Sequence, residues 1–371
     1  MIVDKNSPIP LYFQLQTWLI EQIDQGVIRP NEQIPTEEEL VGKTGLARAT
    51  VRQAIQNLVN LGYLFRKRGL GTFVIDRKAD DHRQTIVGVL VPDIRGGYAP
   101  ELARGTGDEA ARNQHSIIIC NTDDSLVRAD IHADRLIEHA VGGVIFVPTA
   151  ASDKKNRSLV EKFTRKNIPV VLADRAIPDV EIDCVTTDNF HGAYELTKYL
   201  ILKGHEKIAI LLSTLFTTEN QRLEGYKQAL TEHHIPVDPS LIFAKPEPYV
   251  EKVYLEHVRA ILRQQEKFTA VFAGHDRIAY LFYSVAHEMG ISIPEDLSLI
   301  GYDDLAFANS YSATLTTMHQ PIHEMGEESM KLLLSRIGGD QSGPKKIVLR
   351  SRLVERASVL DLVSHKLTRF S

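Results

Sequence analysis

The sequence predicts a small α+β domain at the N-terminus and a larger α/β domain built from two doubly wound parallel-sheet subdomains. Three observations lead to this fold class. First, 371 residues are more than one hydrophobic core usually holds, since single cores stop growing at roughly 250 to 300 residues. Second, helical apolar spacing up to residue 60 gives way to two short β-type runs. Third, short apolar runs alternate with helical patterns from residue 85 onward, as in successive βαβ units.

Three helical patterns occupy the start of the chain. The first has apolar residues at three- and four-residue spacing before Gly26, namely Leu11, Leu15, Trp18, Leu19 and Ile23. The second begins after Pro35, where Thr36 and Glu39 have the T-x-x-E spacing of a capping box. The third runs from residue 48 to residue 60 and has an apolar stripe on one face. We therefore expect three helices before the first β-type run.

A predicted hairpin follows the third helix. The runs YLFRK and GTFVI meet at R-G-L-G, whose last glycine begins the second run, which is typical of two strands joined by a tight turn. Three helices followed by a hairpin form a winged helix-turn-helix, whose second helix of the turn lies in the major groove of DNA. We assign this domain to residues 1–76, and the polar, apolar-poor residues 77–84 to a linker.

The charge pattern points to a polyanion. Residues 43–75 contain six Lys or Arg and no Asp or Glu, although the whole chain has a formal charge of −5. An Arg pair four residues apart is often only a solvated helix face, but solvated faces mix charge signs because opposite charges stabilise a helix. A surface that faces phosphate has to avoid acids. The sequence therefore predicts local DNA binding on an otherwise acidic chain.

The residue types suggest how DNA would be contacted. Arg48, near the start of the predicted recognition helix, is placed to pair with a guanine edge, and Arg52 to reach a base or a phosphate. The Thr50 hydroxyl suits a phosphate. Basic residues at the hairpin tip, with Gly69 allowing close backbone approach, are placed to enter the minor groove; they include Lys67 and Arg68.

The N-terminal motifs also resemble a known family. LYFQLQTWLIEQI, PTEEEL, GLARATVRQAIQNLVNLGYL and RGLGTFV occur in the order found in the winged helix of the GntR family of bacterial transcriptional regulators. The resemblance implies that Arg48 and Arg52 are the main DNA-reading residues and that the glycine-rich hairpin is the wing. Many members carry a basic residue where Glu38 stands and a hydroxyl residue where Ala47 stands, so the operator sequence is expected to differ.

Residues 85–371 are predicted to form the larger domain. Polar residues follow several of its apolar runs, and ligands of parallel sheets bind beyond the carboxyl ends of the strands. They are Asp93, Asp174 with Arg175, His275 with Asp276, and Asp303 with Asp304. Any one of these aspartates could instead cap the next helix. As a set they predict a polar cleft for a small molecule, in which carboxylates and Arg bind hydroxyls and an aromatic ring stacks on an apolar face.

This domain resembles the effector domain of LacI-type regulators and the periplasmic sugar-binding proteins. The landmarks include IVGVLVPDIRGGYAPELARGTGDEA, TENQRLEGYKQAL, VFAGHDRIA and PEDLSLIGYDDLAFA. The resemblance implies a cleft lined by Tyr98, Asp174, Arg175, Arg222, His275, Asp276 and Asp303. It also implies crossovers near Thr187 and Met318 with a return near Val348. Subdomain one would then comprise 85–187 and about 318–347, and subdomain two 188–317 and about 348–362. His275 replaces the usual Asn, so the effector cannot be carried over from relatives.

Other chemistries find little support in the sequence. There is no G-x-S-x-G nucleophile elbow or P-loop, so we expect no enzyme activity and no cofactor. The histidine pairs lack metal-ligand spacing, and the two cysteines, Cys120 and Cys184, adjoin apolar runs as buried thiols do. No apolar run approaches the roughly 20 residues of a membrane span, and the N-terminus lacks signal-peptide features. We expect a cytoplasmic protein without a membrane partner.

The combined interpretation is a ligand-responsive transcription factor that binds a double-stranded DNA operator as a homodimer. We expect a repressor of sugar uptake or catabolism genes, released by a small sugar. Two alternatives stay open at this point. One is a corepressor-dependent regulator that senses a nucleobase or another small metabolite. The other is a non-enzymatic solute-binding protein, which the basic winged helix and the missing signal peptide contradict.

Overall fold

The computed structural model describes residues 3–4, 7–61, 63–67, 69–75, 86–213, 216–246, 249–305 and 314–364. The chain divides into two compact units, Met1–His82 and Arg83–Ser371. The predicted linker 77–84 and the predicted wing residue Arg68 lie outside the described residues. None of the described helices combines the length and the apolar character that crossing a membrane requires.

The first unit has the predicted order of three helices and a hairpin. Helices α1 (Leu11–Asp24), α2 (Glu37–Thr44) and α3 (Arg48–Asn60) precede the antiparallel strands β1 (Leu64–Lys67) and β2 (Gly71–Val74). The predicted capping box is confirmed, because the Thr36 hydroxyl accepts the Glu39 backbone N–H at 3.2 Å and the Glu39 carboxylate accepts that of Thr36 at 2.7 Å. Gly45 ends α2 in the left-handed conformation at φ 64°. The core includes Leu15, Leu19, Leu40, Leu58 and Leu64.

Lobe one of the second unit is a parallel sheet of six strands in the order β13-β7-β6-β5-β3-β4. Its strands are β3 (Ile86–Val91), β4 (Ser116–Asn121), β5 (Gly143–Phe146), β6 (Val170–Ala173), β7 (Asp183–Thr187) and β13 (Lys346–Leu349). Its helices are α4 (Ala99–Arg112), α5 (Leu126–Glu138), α6 (Asp153–Thr164) and α11 (Ile322–Ile337). Strands β5 and β6, and all of β3 except Ile86, are buried because helices cover both faces of a parallel sheet. Both cysteines are free and buried.

Lobe two is a parallel sheet of four strands in the order β11-β10-β8-β9. The strands are β8 (Ile208–Ser213), β9 (Ile242–Lys245), β10 (Ala270–Ala273) and β11 (Ser298–Ile300). The helices are α7 (Asn189–Leu202), α8 (Thr217–Glu232), α9 (Glu251–Leu262) and α10 (Asp276–Glu288). The two lobes therefore repeat the doubly wound pattern, and the predicted fold class is confirmed.

The chain passes between the lobes three times. The first passage follows Thr187, the last residue of β7. The second follows strand β12 (Thr317–His319), because Met318 packs in the core of lobe two. The return follows Leu349, because Val348 still pairs with Thr186 in the first sheet. Strand β14 (Arg352–Val354), which pairs antiparallel with β12, is the first element after the return.

Candidate functional site

Helix α3 carries the basic face that the sequence predicts. Arg48 is its first residue and Arg52 lies one turn later, with 70% and 60% of their side chains exposed. Thr50 lies between them and is half-buried. Ala47 precedes the helix and gives it no side-chain cap, so the first backbone N–H groups are available to an anion such as a DNA phosphate.

This face is not free of acid, although residues 43–75 are. Glu37, at the start of α2, lies 3.1 Å from Arg52 Nη2 and 3.5 Å from Arg48 Nε. The hydrogen bond from Arg52 holds the pKa of the Glu37 carboxyl below its ordinary value. The expectation of an acid-free surface is therefore wrong, because α2 packs beside α3 and brings in a residue from outside the stretch. Glu37 instead holds the two guanidiniums together.

The wing has the predicted turn. Leu70 donates its backbone N–H to the carbonyl of Lys67 at 2.9 Å, and Gly69 takes a positive φ of 76° that a side chain would strain. Lys67 and Gly69 are both exposed at this turn. Gly71 takes a positive φ of 126°, which a side chain would also strain.

A cavity of about 380 Å³ lies between the lobes of the second unit, at the carboxyl ends of their strands. This volume is within the range of small-molecule sites. Six of the seven predicted cleft residues line it: Tyr98, Asp174, Arg175, Arg222, His275 and Asp303. The wall is both polar and aromatic, since Phe216, Tyr249 and Gln320 also line it.

Arg222 is held by contacts on several sides of its guanidinium. Its guanidinium lies 3.7 Å from the centre of the Tyr302 ring and donates to the Gly274 carbonyl at 2.7 Å and to Asn189 Oδ1 at 2.9 Å. The Asp303 carboxylate lies 3.8 Å away, and both side chains are buried. Burial raises the pKa of Asp303 to about 6, although Arg222 opposes that shift. The pair is thus fixed in place and presents hydrogen-bonding groups to a ligand.

Lobe one contributes Asp174 and Arg175 from the end of β6. Arg175 lies 3.8 Å from the ring centre of Phe216 in lobe two, and its Nη1 atom is 2.5 Å from Asp124 Oδ1. The contact between Arg175 and Phe216 therefore joins the two lobes across the cleft. Burial raises the pKa of Asp174 and raises that of Tyr98 well above its ordinary value. Tyr98 is thus a neutral hydroxyl in the wall at any physiological pH.

His275 is a neutral donor. Its Nδ1 atom accepts the backbone N–H of Ile278 at 3.3 Å at the start of α10, and its ring lies edge-on to Tyr249 at 5.2 Å. Burial, with Arg222 and Arg277 nearby, lowers the pKa of His275 to about 3. Because Nδ1 is an acceptor in a neutral ring, we assign the proton to Nε2. His275 can therefore offer the cleft one N–H donor.

The prediction that Asp276 lines the cleft is wrong. Its carboxylate is fully buried behind the wall, where it accepts the Thr317 hydroxyl at 2.7 Å and the Leu305 backbone N–H at 2.9 Å. An added Cβ on Gly301 would lie 2.2 Å from Asp276 Oδ1, so the carboxylate occupies a space with no room for a ligand. Asp276 follows His275 in the chain, but successive side chains at a helix start point in different directions.

The wall also contains residues that no sequence motif singles out. Glu219 lies one helical turn before Arg222 on α8, and Arg277 lies two residues after His275 on α10. Arg277 lies 4.5 Å from the ring centre of Tyr249 and 3.9 Å from Asp93 Oδ2 across the cleft mouth. The sequence signal for Glu219 is its position three residues before Arg222, since residues at this spacing lie on the same face of a helix.

The same two-part organisation occurs in known proteins. The profile of the gntR family of bacterial regulatory proteins matches residues 11–74, and that of the periplasmic binding protein-like domain matches residues 197–359. The arabinose metabolism transcriptional repressor of Geobacillus stearothermophilus is 30% identical over 367 residues, which cover 96% of this chain and 100% of that repressor. The chain belongs to the family of this repressor. It is a transcriptional regulator.

Other members of this regulator's wider group share its second unit. Catabolite control protein A of Priestia megaterium is 29% identical over 86% of this chain and 98% of that protein. A LacI family regulator from Enterococcus faecium with bound ribose superposes with a TM-score of 0.65 at 31% identity, covering 75% of this chain and 99% of that one. CcpA of Lactococcus lactis superposes with a TM-score of 0.68 at 27% identity, covering 74% and 99%. The GntR label alone is therefore too narrow, because it describes the N-terminal unit only.

Proposed function

We propose that this regulator represses genes of sugar uptake or breakdown, and that a small sugar bound in the cleft releases it from a double-stranded operator. The observation that carries the proposal is the cleft wall, which places buried carboxylates and guanidiniums next to aromatic rings. Such groups bind sugar hydroxyls and stack on the apolar faces of a sugar ring. The arabinose repressor and the ribose-bound regulator among the relatives support this ligand class.

A hydrogen-bond chain offers a route from the cleft to the lobe crossings. Gln320 donates to Asp303 Oδ1 at 2.6 Å and accepts the Thr187 hydroxyl at 2.5 Å. Thr187 ends β7 and Gln320 directly follows β12, so both lie where the chain passes between lobes. An effector hydroxyl on Asp303 would therefore act directly on these passages. A coupling free energy of about 1 to 3 kcal/mol would change operator affinity by about 5- to 150-fold.

The regulator would act as a homodimer, because one winged helix reads only a half-site. Exposed apolar residues on the edge strand β4 and on α5 support self-association through lobe one; they are Ile119, Val127 and Ile131. A two-fold symmetric dimer predicts a near-palindromic operator. Because that operator lies on the chromosome, the protein is expected in the cytoplasm. Sedimentation of the operator complex tests the proposal, and one protein copy per operator would refute it.

Fluorescence anisotropy on the upstream region of its own gene cluster tests the release, with and without a panel of pentoses, hexoses and nucleobases. Release by one sugar supports the proposal. Tighter binding in the presence of a nucleobase would instead establish a corepressor-dependent regulator. Release by no compound of the panel would refute the sugar response.

Two variants test the DNA-reading roles proposed for α3 and the wing. Arg48→Ala should weaken operator binding by about 1 to 3 kcal/mol and relax one operator position, since a bidentate pair with guanine is lost. Lys67→Ala should weaken operator and random DNA alike, because a phosphate contact carries no sequence information. Equal loss on both DNAs for Arg48→Ala would contradict the base-reading role.

A further inference from the structure

Glu219 is a buried carboxyl that the roles described so far do not use. It is the third residue of α8, one turn before Arg222, and it lines the cleft although the residue is only 5% exposed. One of its oxygens accepts the backbone N–H of Ser213, the last residue of β8. This contact fixes the carboxyl at the cleft wall and leaves the second oxygen for another donor.

Glu219 differs from three neighbouring acids of the wall in forming no ion pair within 4 Å. Asp93, Asp124 and Asp303 each lie within 4 Å of an arginine nitrogen. Within the described part of the chain, no ion pair of this kind involves Glu219. Burial raises the pKa of Glu219 to about 7, against the opposing effect of Arg222 and Arg175. A buried carboxylate without a cation is stabilised by any hydroxyl that donates to it.

The arginines of the wall are already engaged. Arg95 pairs with Asp93, Arg175 with Asp124, Arg222 with Asp303 and Arg277 with Asp93. The described wall contains seven Asp or Glu and four Arg, so negative groups exceed positive ones. A ligand with a carboxylate or phosphate would therefore have to break an existing pair or lie against an unbalanced negative wall.

We infer that Glu219 is a specificity-determining residue of the cleft, which accepts a hydrogen bond from an effector hydroxyl and excludes effectors that carry an anionic group. The inference rests on the proposed function, since it assumes that the effector is a sugar. It goes further by stating that the cleft binds uncharged sugars in preference to sugar acids and sugar phosphates. It also assigns this discrimination between neutral and anionic effectors to the side chain of Glu219.

Sugar acids are the sharpest probes because their charge is constant near neutral pH. L-Arabinose, D-galactose and D-galacturonate share ring stereochemistry and differ in the group on C5; D-xylose, D-glucose and D-glucuronate form a second such series. The full-length protein is titrated calorimetrically with both series at pH 8, where Glu219 is ionised. The neutral sugars of one of the two series should bind. The corresponding uronate should bind at least about 100-fold more weakly, because like charges in a desolvated site repel.

The variant Glu219→Gln keeps the size of the side chain and removes its charge. It should weaken the neutral sugar about 10-fold, since a charge-assisted hydrogen bond becomes a neutral one. The preference for the neutral sugar over its uronate should fall below about 10-fold, in line with the loss of one repelling charge. Glu224→Gln is the matched control, because Glu224 is exposed on the same helix and pairs with Lys227. Retained operator binding and an unchanged unfolding temperature establish that Glu219→Gln is folded.

The outcomes separate this inference from the function on which it rests. A uronate that binds the wild-type protein as tightly as the matching hexose would overturn the inference and leave a sugar-responsive regulator in place. An unchanged preference in Glu219→Gln would remove Glu219 as the residue responsible. Binding of no sugar and no sugar acid would refute the proposed function itself, and the inference with it.

Discussion

Glu37→Gln is the perturbation that tests most directly how the winged helix reads DNA. Glu37 lies 3.1 Å from Arg52 Nη2 and 3.5 Å from Arg48 Nε, on the face that is expected to meet phosphate. The substitution removes one negative charge from that face and keeps the size of the side chain. It should therefore have two opposite effects on DNA binding, one electrostatic and one geometric.

The electrostatic effect is an increase in binding to any DNA. Because Glu37 no longer neutralises part of their charge, the two arginines together neutralise about one more DNA phosphate. The slope of log affinity against log salt should then steepen by about 0.9. The geometric effect is a loss of specificity, because the guanidiniums are no longer held together. A bidentate arginine–guanine pair discriminates by about 1 to 3 kcal/mol. Loss of half of that discrimination, about 0.5 to 1.5 kcal/mol, corresponds to about a 2- to 13-fold fall in the ratio of operator to random affinity.

The assay is fluorescence anisotropy with the operator and a scrambled duplex of equal length, at several salt concentrations. Glu21→Gln is the control, because Glu21 is an exposed acid on α1 and its loss changes the net charge equally. Glu37→Gln should bind random DNA more tightly and discriminate less, whereas the control should change neither property much. Identical behaviour of the two variants would refute the role of Glu37 in orienting the arginines.

Three further perturbations address the second unit. Asp303→Asn should leave operator binding intact and lower effector affinity at least about 10-fold, because the charge opposite Arg222 is lost; loss of operator binding in the anisotropy assay would indicate a structural role. Gly105→Ala should destabilise the unit by about 1 to 3 kcal/mol in urea unfolding, since its Cβ would lie 2.0 Å from a backbone oxygen of α11. Gly107→Ala on the same helix meets only the terminal carbon of the Ile117 side chain, at 3.3 Å, and should change stability by less than about 1 kcal/mol; equal effects of the two substitutions would contradict the packing argument. His275 stays neutral when folded, with a pKa of about 3, and binds a proton near pH 6.5 when unfolded. The wild type should therefore lose about 1 kcal/mol of stability relative to His275→Asn between pH 6.5 and pH 5.5, and parallel pH profiles of unfolding would exclude that contribution.

Local patterns in the sequence were enough to predict the fold class of this regulator and the edge of the sheets at which its cleft lies. Apolar runs of strand length between helical stretches were enough to predict two parallel sheets, because a strand covered on both faces has to be apolar throughout. The capping box of Thr36 and Glu39 was predictable since both partners lie within one helical turn. Polar residues after the strands were expected at one cleft because parallel strands end at the same edge, and Asp174, His275 and Asp303 do line it.

Tertiary structure alone decided which side chains reach a site. Asp276 and Asp303 both follow apolar runs, yet the first turns behind the wall and the second faces the cavity. Glu37 joins the basic face because α2 packs beside α3, and Glu219 is buried in the cleft because the end of β8 fixes its carboxyl. Each outcome depends on the direction of a side chain and on a partner distant in sequence. Local spacing contains neither, since both are set by how the elements pack together.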